Sequence, residues 1–466
     1  MIDLTKERNP QPQLAPQERI RGFMEISTGY TEDMAIREAM RCLRCRKRPC
    51  MSGCPLKMRI PEFIEKVAEG EFEAAYAIIR SCSTMPEICS RVCPQENQCE
   101  GHCIRGKRSE PVSIGLLERF VTEWHKANGK TDVFPGERSA GRKVAVIGAG
   151  PAGIACAEEL ADLGYAVSIV DAAEEPGGVM LYGIPNYRLP KSILAEKISE
   201  LERKGVRFIR NTTVGEYFTT DELIQREGYE AVFIGTGADQ PTFIQIPGSD
   251  AAGVCTAHAY LTGINMEQVG LPRISLDIPQ GRRVAVIGAG NVAMDAARCA
   301  LRRGAEKVQI VYRRSFDEMP ARKDEIREAM EEGVEMLLLT QPVEIRTDES
   351  GKVCGMICER LQLGKPDKSG RRQPEVIPDS RYKIECDMVI MALGSKQSMR
   401  LLNATSDLEG DSHGAILADE TGATSRPGIF AGGDAVTGPA TVSKAVFAGK
   451  TAAASMDAFI RAKHGE

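Results

Sequence analysis

Residues 143–171 read KVAVIGAGPAGIACAEELADLGYAVSIVD. A short apolar run, a glycine-rich turn, an alanine-rich helical stretch and a second apolar run ending in an acid predict strand, turn, helix and strand. Within GAGPAG, Gly148 allows the tight turn and Gly150 lets the backbone approach a pyrophosphate. Gly153 permits close packing of helix on strand, and the phosphate sits at the helix N-terminus. Asp171 falls where the ribose-binding carboxylate of such a unit belongs. A carboxylate there accepts from ribose hydroxyls and repels a 2′-phosphate, so FAD or NAD fits and NADP does not.

A second copy, RVAVIGAGNVAMDAARCALRRGAEKVQIVYRR, runs from Arg283 to Arg314. Its turn carries Gly288, Gly290 and Ala293, and its second strand ends in Arg313 and Arg314 instead of an acid. Guanidinium groups at that position suit the 2′-phosphate of NADPH. The tail from Gly428, GIFAGGDAVTGPATVSKAVFAGKTAAASM, offers another strand-to-helix passage that is expected to return and complete the first unit. The fold class that follows is α/β, with two Rossmann-like domains and the NADPH domain inserted in the FAD domain. The expected limits are 136–275 and 391–466 for the FAD domain and 276–390 for the NADPH domain. A helical domain over 1–135 precedes them, ending in a linker near Asn128–Ser139.

Nine of the fifteen cysteines lie between Cys42 and Cys103. They include Cys42-x2-Cys45-x4-Cys50-x3-Cys54-Pro and Cys89-x3-Cys93-Pro-x4-Cys99-x3-Cys103. Two quartets fit two [4Fe–4S] clusters, and Cys54-Pro55 has the form of a ligand that crosses to the other cluster. Cys42, Cys45 and Cys50 are then expected on one cluster and the later group chiefly on the second, with one of its thiols lent back. Structural zinc is the rival, but of the two CxxC pairs that usually mark it only one, Cys42-x2-Cys45, is present. Thr31 and Asp33 are placed to start a helix towards Cys42, Pro61 to open another, and Glu71 onward to continue a third after Gly70. The first ~20 residues are polar and Pro-rich and read as a segment lying over a neighbouring surface. Arg41, Arg44, Arg46, Lys47, Arg48, Lys57 and Arg59 form either a solvated basic face or one that raises the cluster potential and guides an acidic partner.

The net charge of -5 and the ordinary composition, 42% apolar and 27% charged, give no reason to expect nucleic-acid binding or disorder. No long apolar run and no export signal is visible, so a cytoplasmic protein with no membrane association is expected.

The chain resembles the small (beta) subunit of NADPH-dependent glutamate synthase over nearly its whole length. The resemblance rests on RCLRC and GCP, RVCPQENQCEGHC, IGLLERF, GAGPAG, GGVMLYGIPNYRLPK, GAGNVAMD, VYRRS and AGGDAVTGPATVSKAV. The chain is also similar to the FAD-bearing large subunit of NADH-dependent ferredoxin:NADP oxidoreductase, an electron-bifurcating enzyme. The resemblance implies FAD, NADPH and two [4Fe–4S] clusters, with Cys42, Cys45, Cys50 and Cys103 on one cluster. Cys54, Cys93 and Cys99 hold the other, whose fourth ligand is Glu118 or, as the alternative, Cys89. For FAD it points to Gly148, Gly150, Ala152, Gly153, Asp171, Gly178, Arg188, Gly433, Asp434 and Thr441. For NADPH it points to Gly290, Asn291, Val292, Arg313, Arg314 and Gly394, with no side chain acting as acid or base. The implied activity is that of an oxidoreductase subunit passing electrons between NADPH, FAD and the clusters, to or from a separate subunit in a hetero-oligomer. That partner is the glutamate synthase large subunit or a flavin and [2Fe–2S] subunit, with ferredoxin a further candidate; a self-contained NADPH-dependent reductase is the remaining reading.

Overall fold

The computed structural model describes residues 3–129, 141–271, 279–367 and 370–466. Both glycine-rich stretches form the centre of a sheet. Lys143–Ile147 lies between Ala166–Val170 and Ala231–Ile234, with Arg207–Ile209 and Ile429–Ala431 at the edges, all parallel. Val144 to Ile147 are buried, as expected for a strand covered on both faces by helices. The edge strand Ile429–Ala431 is the returning tail, which completes this sheet as the sequence suggested. The second sheet repeats the arrangement: Arg283–Ile287 lies between Lys307–Val311 and Met388–Met391, with Glu335–Leu337 and Val254–Thr256 outermost.

The expected limits at 135/136 and 275/276, and most of the linker near Asn128–Ser139, lie outside the described residues. Val254–Thr256 joins the second sheet well before residue 276, and Met388–Met391 runs across the limit at 390/391. The second unit also carries an antiparallel sheet of Thr340–Thr347, Val353–Pro366, Arg372–Val376 and Tyr382–Ile384, which the motifs did not announce.

In the first unit the helix Val442–Lys463 packs on Pro151–Asp162 so closely that a Cβ on Gly449 would stand 2.1 Å from the Ala152 carbonyl oxygen. Only glycine allows that approach. Gly148 has φ +101, and a Cβ there would meet the Gly235 oxygen at 2.5 Å.

The N-terminal domain is helical. Glu32–Met40 begins where expected, with Thr31 Oγ1 accepting from the Met34 amide at 3.4 Å. Ile60–Ala68 and Phe72–Cys82 follow, then Pro86–Val92 and Ile114–Asn128. Phe63, Ile64, Val67, Ile79, Leu117 and Val121 fill its core. The N-terminal segment is held down: Arg41 donates to the Lys6 carbonyl at 3.0 Å and Arg105 to that of Asp3 at 2.9 Å. Arg19 pairs with Glu331 of the second unit at 2.8 Å. No helix among the described residues is long and apolar enough to cross a membrane.

Candidate functional site

At the first glycine turn the helix Pro151–Asp162 begins after Gly150, and a Cβ on Gly150 would have no atom within 4 Å. That open cradle before a helix N-terminus fits a pyrophosphate. Asp171 closes the turn from below, accepting from the amides of Ala149 at 2.5 Å and Ala173 at 2.7 Å. Burial raises its carboxyl above the usual range, against those two bonds. A Cβ on Gly178 would stand 2.8 Å from Gly150 Cα, so the 177–178 turn presses on the same cradle. From the tail, Gly433 lies over Ala152, and Asp434 accepts from the Ala440 amide at 3.1 Å. Burial pushes the Asp434 carboxyl up to about 6. Thr441 caps the long tail helix, its hydroxyl accepting from the Lys444 amide at 3.4 Å.

Arg188 departs from expectation. Its guanidinium is turned away from solvent and pairs with Asp295 at 2.6 Å and Glu325 at 2.9 Å, both in the second unit. Arg298 joins Glu325 at 2.8 Å and Glu332 at 2.6 Å, and the Tyr187 ring lies under Arg298 and Arg302 at 4.7 and 4.0 Å. A buried guanidinium must be paired, and Arg188 joins the two units through these ion pairs.

At the second turn Gly290 is again open, its nearest neighbour Pro320 at 4.0 Å from a built Cβ. Asn291 starts the helix and accepts from the Arg322 amide at 2.9 Å, Val292 is 49% exposed, and Ala293 is buried. Gly288 approaches the Ala392 oxygen, and Gly394 is exposed with open space around it. The two arginines part company. Arg313 is exposed, whereas Arg314 is buried, donating to the Arg372 carbonyl at 2.9 Å and pairing with Asp367 at 3.1 Å. The expected arginine pair is therefore one open guanidinium and one structural one.

Cys42, Cys45, Cys50 and Cys103 line a single apolar cavity with Ile60, Ile64 and Val112. The neighbourhood of Cys103 reaches each of the other three, so the thiol that the later group lends back is brought to the first. Burial pushes the Cys50 thiol up to about 11. The second group is equally close: Cys54 neighbours Glu118 and Cys93, and Cys99 neighbours Cys54, Cys93 and Glu118. Cys89 shares a hydrogen bond with Cys93, which raises Cys89 and lowers Cys93, and the Ser443 hydroxyl and amide lower Cys93 further. Cys54, Cys93, Cys99 and Glu118 all keep some accessible surface, while Cys89 is 1% exposed. The Glu118 carboxyl is enclosed by protein and raised well above its usual range by burial and by Cys93. Among the described residues no three His, Cys, Asp or Glu side chains converge on a single-ion point. Thiols spread around a cavity suit a cubane, which is larger than one ion. Arg44, Arg46, Lys47, Arg48, Lys57 and Arg59 are exposed around this region. Arg41 is not part of that face: it is 1% exposed and bound to Glu38 at 2.6 Å.

Sequence reasoning missed Gln98 and Ser443, which meet at the second thiol group, because nothing in their spacing marks a contact across 345 positions.

Two parallel sheets with open glycine turns and a helical thiol-rich domain laid against them define an oxidoreductase of the pyridine-nucleotide class with an iron–sulfur region. Residues 142–449 match the family model described as pyridine nucleotide-disulphide oxidoreductase, and residues 19–130 the one described as dihydropyrimidine dehydrogenase domain II, 4Fe-4S cluster. The chain belongs to this pyridine nucleotide-disulphide oxidoreductase family, in the branch that includes the glutamate synthase small chain. It is 36% identical to the glutamate synthase [NADPH] small chain of Escherichia coli (strain K12) over 441 residues, 92% of each chain. It is 40% identical to the NADP(+)-dependent formate dehydrogenase subunit beta of Moorella thermoacetica over 437 residues, 89% of this chain but 60% of that one. Both relatives bear the name of a chain or subunit of a larger enzyme. Among solved structures, Mycobacterium tuberculosis FprA in complex with NADPH shares the fold, with TM-score 0.57 and 23% identity over 70% of this chain and 86% of that one.

Proposed function

We propose that this chain is the electron-transferring subunit of an NADPH-dependent oxidoreductase, in which FAD occupies the first glycine cradle, NADPH the second, and two [4Fe–4S] clusters the two thiol groups. The observation that carries the reading is the order of the groups in space. Cys93 of the second thiol group touches Ser443 at the start of the tail helix, beside Thr441 and Asp434, while the first thiol group lies under the exposed basic residues. This arrangement supports a path from nicotinamide site to flavin site, second cluster, first cluster and surface.

When bound, a flavin accepts a hydride and releases electrons singly, which is the conversion a nicotinamide and a one-electron cluster require between them. The chain supplies orientation. Gly150 and Gly290 leave room for the two pyrophosphates at helix N-termini, Val292 is exposed beside the second of these, and Arg313 offers a charge-assisted bond to a 2′-phosphate. No acid or base is called for, because hydride transfer between stacked rings depends on distance and orientation. Cys54, Cys93, Cys99 and Glu118 hold the cluster nearer the flavin, and Cys42, Cys45, Cys50 and Cys103 the outer one. The relatives' names support a separate redox subunit as electron partner, as in glutamate synthase.

Protein purified without oxygen is expected to be brown, to hold about eight iron atoms and one FAD per chain, and to be reduced by NADPH. Cys45→Ser is expected to remove one cluster only. Zinc with negligible iron, or equal loss of both clusters in Cys45→Ser, overturns the reading.

A further inference from the structure

Beside the Cys93–Ser443 contact, one further side chain joins the second thiol group to the helix that begins beside the flavin cradle. Gln98 lies between Cys93 and Cys99 and is 8% exposed. Its amide nitrogen donates to Thr441 Oγ1 at 3.4 Å and to Ser443 Oγ at 3.3 Å. The two hydroxyls are themselves 3.2 Å apart. The carbonyl of Gln98 is also engaged, meeting His102 Nδ1 at 2.7 Å, so the turn that carries Cys99 is tied at both ends of this residue.

The tail helix does not need Gln98 for its own capping, since Thr441 already accepts from the Lys444 amide. Nor does the cysteine turn need the tail helix for its backbone bonds, because the Gln98 and Glu100 amides both donate to the Gln95 carbonyl. What the contact adds to the Cys93–Ser443 bond is a second point of attachment, which fixes the register of the two elements. Burying a primary amide is costly unless its hydrogen bonds are made, so a Gln held here by two hydroxyls favours one relative placement of the two elements over its neighbours.

We propose that Gln98 is a positioning residue for electron transfer, latching the turn between Cys93 and Cys99 to Thr441 and Ser443 and so setting the separation and orientation of the second cluster relative to the flavin. This rests on the functional reading above. No bond to the protein would form or break: for each NADPH two electrons would leave the flavin singly, the first passing on from the second cluster to the first before the next arrives, with a net release of one proton to solvent.

Rapid mixing of the whole protein with NADPH in the absence of oxygen separates the two steps, since flavin bleaching and cluster bleaching have different spectra. Gln98→Leu keeps the volume and removes the donor. Flavin reduction by NADPH is expected at the wild-type rate, followed by cluster reduction slowed severalfold, because electron transfer weakens steeply as the two centres move apart. Iron and flavin contents should match wild type, and the electron paramagnetic resonance signal of the second cluster should shift. Gln98→Met, which also removes the donor, carries the test if Gln98→Leu loses iron; Ser443→Ala, which removes the bond to Cys93 as well, should slow the same step at least as much and Ser443→Thr restore it. The double variant Gln98→Leu/Ser443→Ala should be no slower than the worse single one, because the residues act as a unit. Wild-type cluster reduction in both Gln98→Leu and Ser443→Ala, in protein that holds flavin and iron, overturns this inference alone. Wild-type protein without flavin or iron overturns it together with the functional reading.

Discussion

Glu158 lies at the junction of three elements, and neutralising it should loosen the cluster domain from the flavin unit. It sits on the helix Pro151–Asp162 with no exposed side-chain surface, bonded to Arg80 of the cluster domain, to Lys197 at 2.6 Å and to Lys204 at 2.8 Å. Burial raises its carboxyl, but Lys197, Arg80 and Lys204 together pull it to about 2, against an ordinary value of 4.5. That difference corresponds to about 3 kcal/mol of stability at neutral pH. Glu158→Gln keeps the shape and leaves three cations facing one another, so a loss of about 3 kcal/mol or somewhat more is expected at pH ~7. The sign with pH follows from the lowered value. The contribution is complete above the unfolded value of 4.5 and is lost as pH falls towards 2, because the unfolded chain then takes up a proton that the folded one refuses. The gap between wild type and variant should therefore narrow by about 1 kcal/mol between pH ~7 and pH ~4. Urea unfolding followed by Trp124, the chain's single tryptophan and a residue of the cluster domain, measures it directly. A gap under about 1 kcal/mol at neutral pH, or one that widens on acidification, refutes the reasoning.

Arg313→Ala should cut kcat/KM for NADPH by about 10- to 100-fold while leaving NADH nearly unchanged, the cost of one charge-assisted bond to the 2′-phosphate. Arg314→Ala should instead lower the unfolding temperature and alter nucleotide choice far less; an equal loss of NADPH preference in both variants contradicts the assignment. At the second cluster, Glu118→Ala should change the potential or resonance signal while Cys89→Ser leaves it as it was. Loss of the cluster in Cys89→Ser with a silent Glu118→Ala returns the site to four thiolates.

Much of this architecture is legible in the sequence because its signals are local. The two GAGxxG/A turns each sit between a run of buried residues and a helix, and steric demands at Gly148 and Gly449 are met by residues that can be read directly. The cysteine spacing suggests two groups of four with one thiol lent back, and Cys103 lines one cavity with Cys42, Cys45 and Cys50. The antiparallel sheet was missed even though Val353–Pro366 shows alternating burial over part of its length. No glycine motif or cysteine drew attention to it, and a period of two over a few residues is a weak signal. Contacts between distant residues were illegible for a different reason: Arg188 and Asp295 are 107 positions apart, and no local pattern couples them.

The arginines show what decides between structural and ligand roles. By type and by place in a motif, Arg41, Arg188, Arg313 and Arg314 all read as charges available to a cofactor or partner. Taking a guanidinium out of water is unfavourable unless carboxylates or carbonyls meet it, so every buried arginine must have its donors satisfied within the protein. Arg41 does so with Glu38 and carbonyls of two backbone segments, and Arg314 with Asp367 and the Arg372 carbonyl, while Arg188 is held by ion pairs to Asp295 and Glu325. A donor satisfied in this way can reach a phosphate only by giving up a bond it already makes. Arg313 remains at the surface, at the end of the strand that in the first unit ends in Asp171, and it can meet a 2′-phosphate without breaking anything. In the proposed NADPH site nucleotide choice is therefore expected to hang on one arginine of the pair, and burial is what singles it out.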